Sequence, residues 1–462
     1  MHDQPTVLRP DDVAEAAREL GVPGVAVGVD HGGKRETVTY GVTSIEYGRP
    51  VDEATLFQIG STAKTFTATA IMVLVDQGRI DLDQPVRRYL PELRLLDGDA
   101  AETLTVGQLL NHTAGWDGGD VWTDTGEGDD ALERSVALLA DLPQQFAPGT
   151  AASYNNAAFV LAGRVVEKVT GETFERALAR LVLDPLGMRQ TLTSLNEIMT
   201  RPYAAGHRAA STTDSAGSAD GVLSMSRPWS DPRGYLPAGA RLASSLGDQL
   251  TWARFQLGDG RSPDGTRVLS EQRLRAMHTP TTSHELWPGV RVGIAWLLRE
   301  IDGVRLIEHH GDVSGQHSTV TVVPEHDFAI VVLTNATPSG RELAERIVRE
   351  ALESRLGLVE RPPEPLSLSP DDLAPYAGDY RTEGLDLRVV VDGTGLLIHG
   401  TLTDDGVAET LEFPSRLLPG ERFLVVGGPF AGLQGEFVRE ADAVVAVKHV
   451  GRLVPRAAEP SA

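Results

Sequence analysis

Residues 57–78 read Phe57-Gln58-Ile59-Gly60-Ser61-Thr62-Ala63-Lys64, then TFTATAIMVLVDQ to Gly78. Phe57 to Gly60 is strand-like. Ser61 to Gln77, rich in Ala, Thr, Ile, Met and Leu, predicts a helix that stops near Gly78. Ser61 then stands at a helix start, and Lys64, one turn on, shares its face, so hydroxyl and amine can lie side by side. A lysine desolvated in a cleft can accept a serine proton, whereas an arginine cannot. A helix N-terminus also turns backbone N–H groups toward a developing oxyanion. Only four lysines occur, Lys34, Lys64, Lys168 and Lys448, so about 0.2 Ser-x-x-Lys matches are expected by chance. On these residues alone, a capping serine with a solvated lysine remains open.

Upstream, Gly24 to Gly33 (GVAVGVDHGG) and Glu36 to Gly41 predict an antiparallel hairpin about a Gly-Gly turn. Downstream, residues 103–200 read as a helical insertion, with Leu104 to Leu110, Ala131 to Leu142 and Ala157 to Thr170 as its main segments. Strands return at Gly293 to Leu298, Val304 to Glu308, Ser318 to Val323 and Phe328 to Leu333, followed by a helix over Arg341 to Leu356. The chain ends thus supply one sheet and the middle supplies helices. Four prolines between Glu360 and Pro370 mark a linker. Beyond it, Leu385 to Val391, Gly395 to Ile398, Thr410 to Phe413, Arg422 to Val426, Gly435 to Arg439 and Ala443 to Val447 suggest a small antiparallel barrel. The expected units are therefore 1–358, a linker 359–370, and 371–462.

A chain of 462 residues exceeds what one core usually serves, and its formal net charge of −23 opposes binding to phosphate backbones or anionic membranes. Neither nucleic acid nor membrane is an expected partner. With no cysteine, disulfides, thiolate zinc sites and a thiol nucleophile are all excluded. Met1 to Leu20 is broken by Asp11, Asp12, Glu15 and Arg18 and lacks a secretory pattern, so the expected location is cytoplasmic. The sequence implies no cofactor and gives no oligomeric state.

Two further segments carry chemistry. Tyr154-Asn155-Asn156 follows the turn Pro148-Gly149-Thr150 and precedes a helical run. A nearby ammonium such as Lys64 favours the phenolate of Tyr154, and Asn156 can hold Lys64 or a substrate amide. By itself this segment favours an Asn-rich turn with a buried tyrosine. Ile307-Glu308-His309-His310-Gly311-Asp312 precedes a strand, where Gly311 permits close backbone approach and an edge strand can pair with an extended acyl chain. His309 can donate to a carboxylate or carbonyl, or tune Tyr154. His310 alternates to the opposite face, and no third ligand aligns for a metal. Trp116, Trp122, Trp229, Trp287 and Trp296 are each either core or pocket wall, and core is favoured for each.

Taken in order, these segments resemble the serine β-lactamase and penicillin-binding protein superfamily, in particular its class C β-lactamase, D-peptidase and esterase branch. Ser61-x-x-Lys64 resembles S-x-x-K, and Tyr154-x-Asn156 resembles Y-x-N. His309-His310-Gly311 departs from the usual K-T-G toward H-x-G variants of esterase and peptidase relatives, which argues against efficient β-lactam hydrolysis. Leu109-Leu110-Asn111-His112-Thr113-Ala114-Gly115 resembles LLxHTSG, with His112 read as structural. Tyr376-Ala377-Gly378-Asp379-Tyr380 resembles an appended lipocalin-like domain. The resemblance implies an α/β (α+β) fold, with a β-lactamase-like antiparallel sheet flanked by helices, a helical insertion and a small C-terminal antiparallel β-barrel.

It further implies a serine hydrolase of small ester, amide or peptide substrates, in which Ser61 attacks, Lys64 and Tyr154 handle protons, and Asn156, His309, Gly311 and Asp312 bind substrate. The Ser61 and Asp312 N–H groups would form the oxyanion hole. The Asp312 carboxylate would disfavour anionic substrates. Alternatives are a β-lactamase, an acyltransferase or peptide-cyclising thioesterase, and a non-catalytic ligand-binding sensor. Retention of both Lys64 and Tyr154 argues against the last.

Overall fold

The computed structural model describes residues 9–117, 123–209, 223–382, 385–404, 407–428 and 430–457. Trp122 lies outside them. After helix α1 (Pro10–Glu19), the Gly-rich opening forms β1 (Gly24–His31), which turns at Gly32-Gly33 into β2 (Lys34–Gly41). The run after Ser61 becomes α2 (Ala63–Asp76), and the one after Asn156 becomes α3 (Ala157–Thr170). A further helix, α4 (Leu246–Leu257), was not foreseen. Then come β3 (Arg291–Val292), β4 (Leu297–Ile301), β5 (Val304–Val313), β6 (Gln316–Val323), β7 (Phe328–Thr334) and helix α5 (Ser339–Leu356). The sheet order is β2-β1-β7-β6-β5-β4-β3, antiparallel throughout.

Both faces of this sheet are covered, which is why its central strands are apolar almost without interruption. Val25, Val27 and Val29 join Ile330, Val332, Leu343 and Ile347 in a core beneath α1 and α5. Their neighbours Ala26, Val331 and Leu333 face the opposite core with Phe66 and Trp252, whose rings stack at 3.9 Å. Alternation along each strand serves two hydrophobic layers. Helix α4 escaped notice because its apolar residues do not form one clean stripe. It packs against β7, against β1 where Leu250 lies over Gly28, and against α2 through Trp252.

The expected strand over Gly293 to Leu298 is corrected: β3 ends at Val292 and β4 starts at Leu297. Ala295 between them takes a left-handed φ of 66°, which interrupts extended backbone. The third box also needs correction, because β5 is an interior strand. Its pairing with β4 ends at Glu308, however, so His309 to Val313 keeps β6 on one side and forms a local edge on the other.

The C-terminal unit is a nearly closed eight-stranded antiparallel barrel: β8 (Gly378–Arg381), β9 (Leu385–Asp392), β10 (Gly395–Asp404), β11 (Val407–Leu417), β12 (Arg422–Val425), β13 (Gln434–Glu440), β14 (Ala443–His449) and β15 (Arg452–Pro455). Leu385, Leu387 and Val389 alternate inward to meet Ile398, Phe423 and Phe437. Strands β8 and β15 were not foreseen, being only four residues each. They close the meander, where Tyr380 bridges Arg456 and the Ala457 N–H donates to the Asp379 carbonyl at 2.8 Å. Between the two units, Glu360 pairs with Arg299 and Arg361 with Asp302, while the Leu366 N–H already reaches the barrel at the Leu417 carbonyl.

Buried histidines give the fold a pH dependence. His278 contacts Gln256 Oε1 at 3.0 Å, and burial, then the charge of Arg305, lowers its pKa to about 3. It is neutral when folded, whereas an unfolded histidine protonates below about 6.5. The unfolded state thus binds the extra proton between those values, and stability falls as pH falls through that window. His278→Gln, which keeps a partner for Gln256, should flatten the slope of stability against pH between 6 and 4 by up to about 1.4 kcal/mol per pH unit. Urea unfolding at several pH values measures this, and an unchanged slope contradicts it.

Candidate active site

Ser61 sits half-buried in a short 3-10 turn, Gly60–Thr62, that runs directly into α2. Strand β6 anchors the turn. Ser318 Oγ donates to the Ile59 carbonyl at 2.7 Å and meets Thr62 Oγ1 at 2.8 Å, and the Gln58 N–H donates to Gln316 Oε1 at 3.1 Å. Lys64 is fully buried, and its Nζ donates to Ser61 Oγ at 2.9 Å and to the Ala238 carbonyl. It also lies 5.1 Å from the centre of the Tyr154 ring and 5.6 Å from that of Phe159. Asn156, buried at the start of α3, is one turn before Phe159 and so shares the helix face turned to Lys64.

Backbone crowding brings the third box to the serine. A Cβ on Gly311 would stand 2.0 Å from the Ile59 carbonyl oxygen and 2.7 Å from the Ser61 nitrogen. On the other side, a Cβ on Gly239 would stand 2.9 Å from that nitrogen. Gly60, at φ +49°, packs against the peptide of Asp312. Glycine at these points sets the peptide nitrogens of Ser61 and Asp312 on touching backbones.

Strand alternation then sorts the side chains. His309 and Gly311 face Ser61, while His310 and Asp312 face α5. The Asp312 carboxylate meets His317 Nδ1 at 2.8 Å and Arg341 at 3.7 Å. Burial opposes its charge, but these partners outweigh burial and hold its carboxyl well below the usual range. Nearly half of the side chain stays exposed, which leaves the charge partners in control. The expectation that this carboxylate disfavours anionic substrates is therefore corrected, since it points away from the cleft.

His309 corrects a second expectation. Its Nδ1 is 2.8 Å from the His310 carbonyl, which can only accept, so Nδ1 carries the hydrogen. Burial, then the Lys64 charge, lowers its pKa to about 3, and the ring is neutral at physiological pH. Nε2 therefore presents a lone pair, with no hydrogen-bond partner among the described residues. In this state His309 accepts rather than donates. His310 turns to Thr319 Oγ1 at 3.2 Å. Among the described residues no group of three or more His, Asp or Glu is disposed to hold a metal ion.

Some site residues were not legible. The Ala238 carbonyl that receives Lys64 is one. His112 is another: its ring stacks on Tyr154 at 4.3 Å, its Nδ1 accepts the Asn155 N–H at 3.1 Å, and its carbonyl accepts the Ser153 N–H at 2.9 Å. The LLNHTAG segment flagged this histidine without indicating what it touches. Of the tryptophans, Trp116 and Trp296 are core, while Trp287, like Tyr154, packs against the small cluster of Ala152, Leu286 and Val290.

A sheet backed by helices, a helical insertion, and a serine-lysine pair at their junction describe a hydrolase of the serine acyl-enzyme type. The chain belongs to the Beta-lactamase family, whose sequence model it matches over residues 11–354. Penicillin-binding protein 4 of Amycolatopsis lactamdurans is 36% identical over 370 residues, covering 79% of this chain and 94% of that protein. The Unguisins hydrolase ungD of Aspergillus violaceofuscus is 26% identical over 449 residues, covering 85% and 78%. The crystal structure of SurE with D-Leu matches at a TM-score of 0.69 and 26% identity, over 97% of this chain and 99% of that one.

Gly311→Ala should lower the rate of acylation roughly 100-fold, the scale for losing an oxyanion donor, because the new methyl drives β5 away from Ser61. Stopped-flow acylation with a p-nitrophenyl ester, on protein shown to be folded, checks this. A near-normal rate would separate Gly311 from the serine.

Proposed function

We propose that the protein is a serine hydrolase that forms an acyl-enzyme on Ser61 and cleaves a small ester or amide, including a peptide. The observation that carries this is the fully buried Lys64 amine, 2.9 Å from Ser61 Oγ. A neutral amine has two N–H bonds and one lone pair. In that neutral form, with an N–H directed at the Ala238 carbonyl, the lone pair can turn to Ser61 Oγ and take the hydroxyl proton. The Ser61 oxygen then bonds the substrate carbonyl carbon, and the resulting oxyanion is held by the Ser61 and Asp312 N–H groups. Collapse breaks the bond to the leaving alcohol or amine, which receives the proton through Tyr154. Water repeats the cycle on the acyl ester, releasing the acid and regenerating Ser61.

Asn156, His309, Gly311 and Asp312 are proposed to bind substrate, with Asp312 acting through its backbone. A neutral His309 that offers a lone pair suits a substrate N–H or O–H better than a carboxylate. This is also the argument against an efficient β-lactamase. Residues 1–358 are proposed as the hydrolase unit, 359–370 as the linker, and 371–462 as a lipocalin-like barrel, with the whole acting in the cytoplasm. Among the described residues no helix is long and apolar enough to cross a membrane.

Acyl transfer to an amine is the second reading. The His309 lone pair can receive an amine N–H, and SurE, similar over nearly the whole chain, was solved with D-Leu, an amino acid.

Intact-protein mass spectrometry with p-nitrophenyl esters, D-amino-acid amides and penicillins identifies the accepted acyl class. Ser61→Ala should give no adduct, and an adduct on another residue would sink the assignment. Lys64→Arg should be nearly as damaging as Lys64→Ala, because charge survives and proton acceptance does not. Product analysis with a D-amino acid present separates transfer from hydrolysis.

A further inference from the structure

The backbone around Tyr154 is held from two sides. The N–H groups of Ser153 and Asn155 both go to His112, but the N–H of Tyr154 itself donates to the carbonyl of Gly451, at 2.7 Å, in the turn between β14 and β15 of the barrel. The same turn is tied down on both flanks. The Leu453 N–H donates to Ser153 Oγ at 3.1 Å, and Gln145 Nε2 donates to the Leu453 carbonyl at 2.9 Å. At the end of β14, Lys448 Nζ donates to the Glu285 carbonyl at 2.8 Å. Gly451 has φ +75°, and a Cβ there would lie 2.9 Å from the ring of Trp287, which packs on the Cα. Only glycine satisfies both the left-handed backbone and that close approach.

We propose that the barrel is a working part of the acyl site, with Gly451 as a positioning residue that fixes Tyr154 through its peptide carbonyl. This rests on Tyr154 being the proton carrier. A phenol that must stay within reach of both Ser61 and Lys64 tolerates little backbone drift, since misplacement of about 1 Å can cost 100-fold in rate. The His112 ring defines the plane of the Tyr154 ring, and the Gly451 carbonyl defines the depth at which its backbone sits. Neither device is complete without the other, so the site is assembled from the hydrolase unit and the barrel together.

The test is a double-mutant cycle in the full-length protein, with p-nitrophenyl butyrate as acyl donor and acylation followed under single-turnover conditions. Gly451→Ala should slow acylation 10-fold or more at an unchanged KM. In the Tyr154→Phe background the same change should cost less than 2-fold, because nothing is left to position. Gly393→Ala, which places a similar left-handed alanine in the open β9–β10 turn, controls for strain in the barrel and should leave the rate alone. If Gly451→Ala does not fold, Ser153→Ala removes the Leu453 contact instead, and Ser153→Thr should rescue it. Equal losses in both backgrounds overturn the positioning role, as does a folded Gly451→Ala enzyme at full rate while Tyr154→Phe is slow. A Tyr154→Phe enzyme that keeps its rate instead removes the proton-carrier assignment, and with it this inference.

Discussion

Everything at the site depends on burying the amine of Lys64. Removing a charged ammonium from water costs several kcal/mol unless partners compensate, so a lysine with no exposed surface must be met by the surrounding chain. Here the Ala238 carbonyl meets it from the 3-10 segment Arg233–Ala238, and Ser61 Oγ meets it from the start of its own helix. The rings of Tyr154 and Phe159 lie beside it, with centres 5.1 and 5.6 Å from Nζ. Loss of any of these would leave the amine buried beside fewer partners. On the proposed mechanism, the same desolvation that makes the residue expensive suits it to proton transfer.

The two-layered core explains how such a site can be rigid. Strands β1, β5, β6 and β7 are packed on both faces, so β5 offers a fixed surface against which the Ser61 turn is pressed. Glycines at 60, 239 and 311 let three backbones approach more closely than side chains would allow. On the far face, the Asp312 carboxylate pairs with Arg341 and meets His317 Nδ1, holding the strand where it has lost its β4 neighbour. One strand thus carries a structural ion pair outward and candidate substrate contacts inward, separated only by the alternation of its side chains.

Ser61 and Lys64 were legible because their relation is local: a helix turn fixes it, whatever the rest of the chain does. Tyr154 and His309 were singled out by residue chemistry, but it was the resemblance that joined their segments to Ser61. The orientation of Asp312 followed from strand alternation once β5 was in register, but the sequence did not supply that register. Ala238 lies 174 residues from Lys64 and offers only a peptide carbonyl, which every residue possesses. Gly451 is similarly anonymous in sequence. Helix α4 and the four-residue strands β8 and β15 were missed for a different reason, since their residues owe their state to packing partners rather than to a periodic pattern of their own.

The central claim is geometric: Ser61 Oγ bonds the substrate carbon while its own N–H and that of Asp312 hold the oxyanion. A crystal structure of the enzyme inactivated with a p-nitrophenyl alkylphosphonate tests it most directly, because a tetrahedral phosphorus mimics the intermediate. The account predicts phosphorus bonded to Ser61 Oγ, one phosphoryl oxygen within hydrogen-bond distance of both the Ser61 and Asp312 nitrogens, and Lys64 Nζ still beside Oγ. Phosphorus on another residue, or a phosphoryl oxygen turned away from the Asp312 nitrogen, would contradict it.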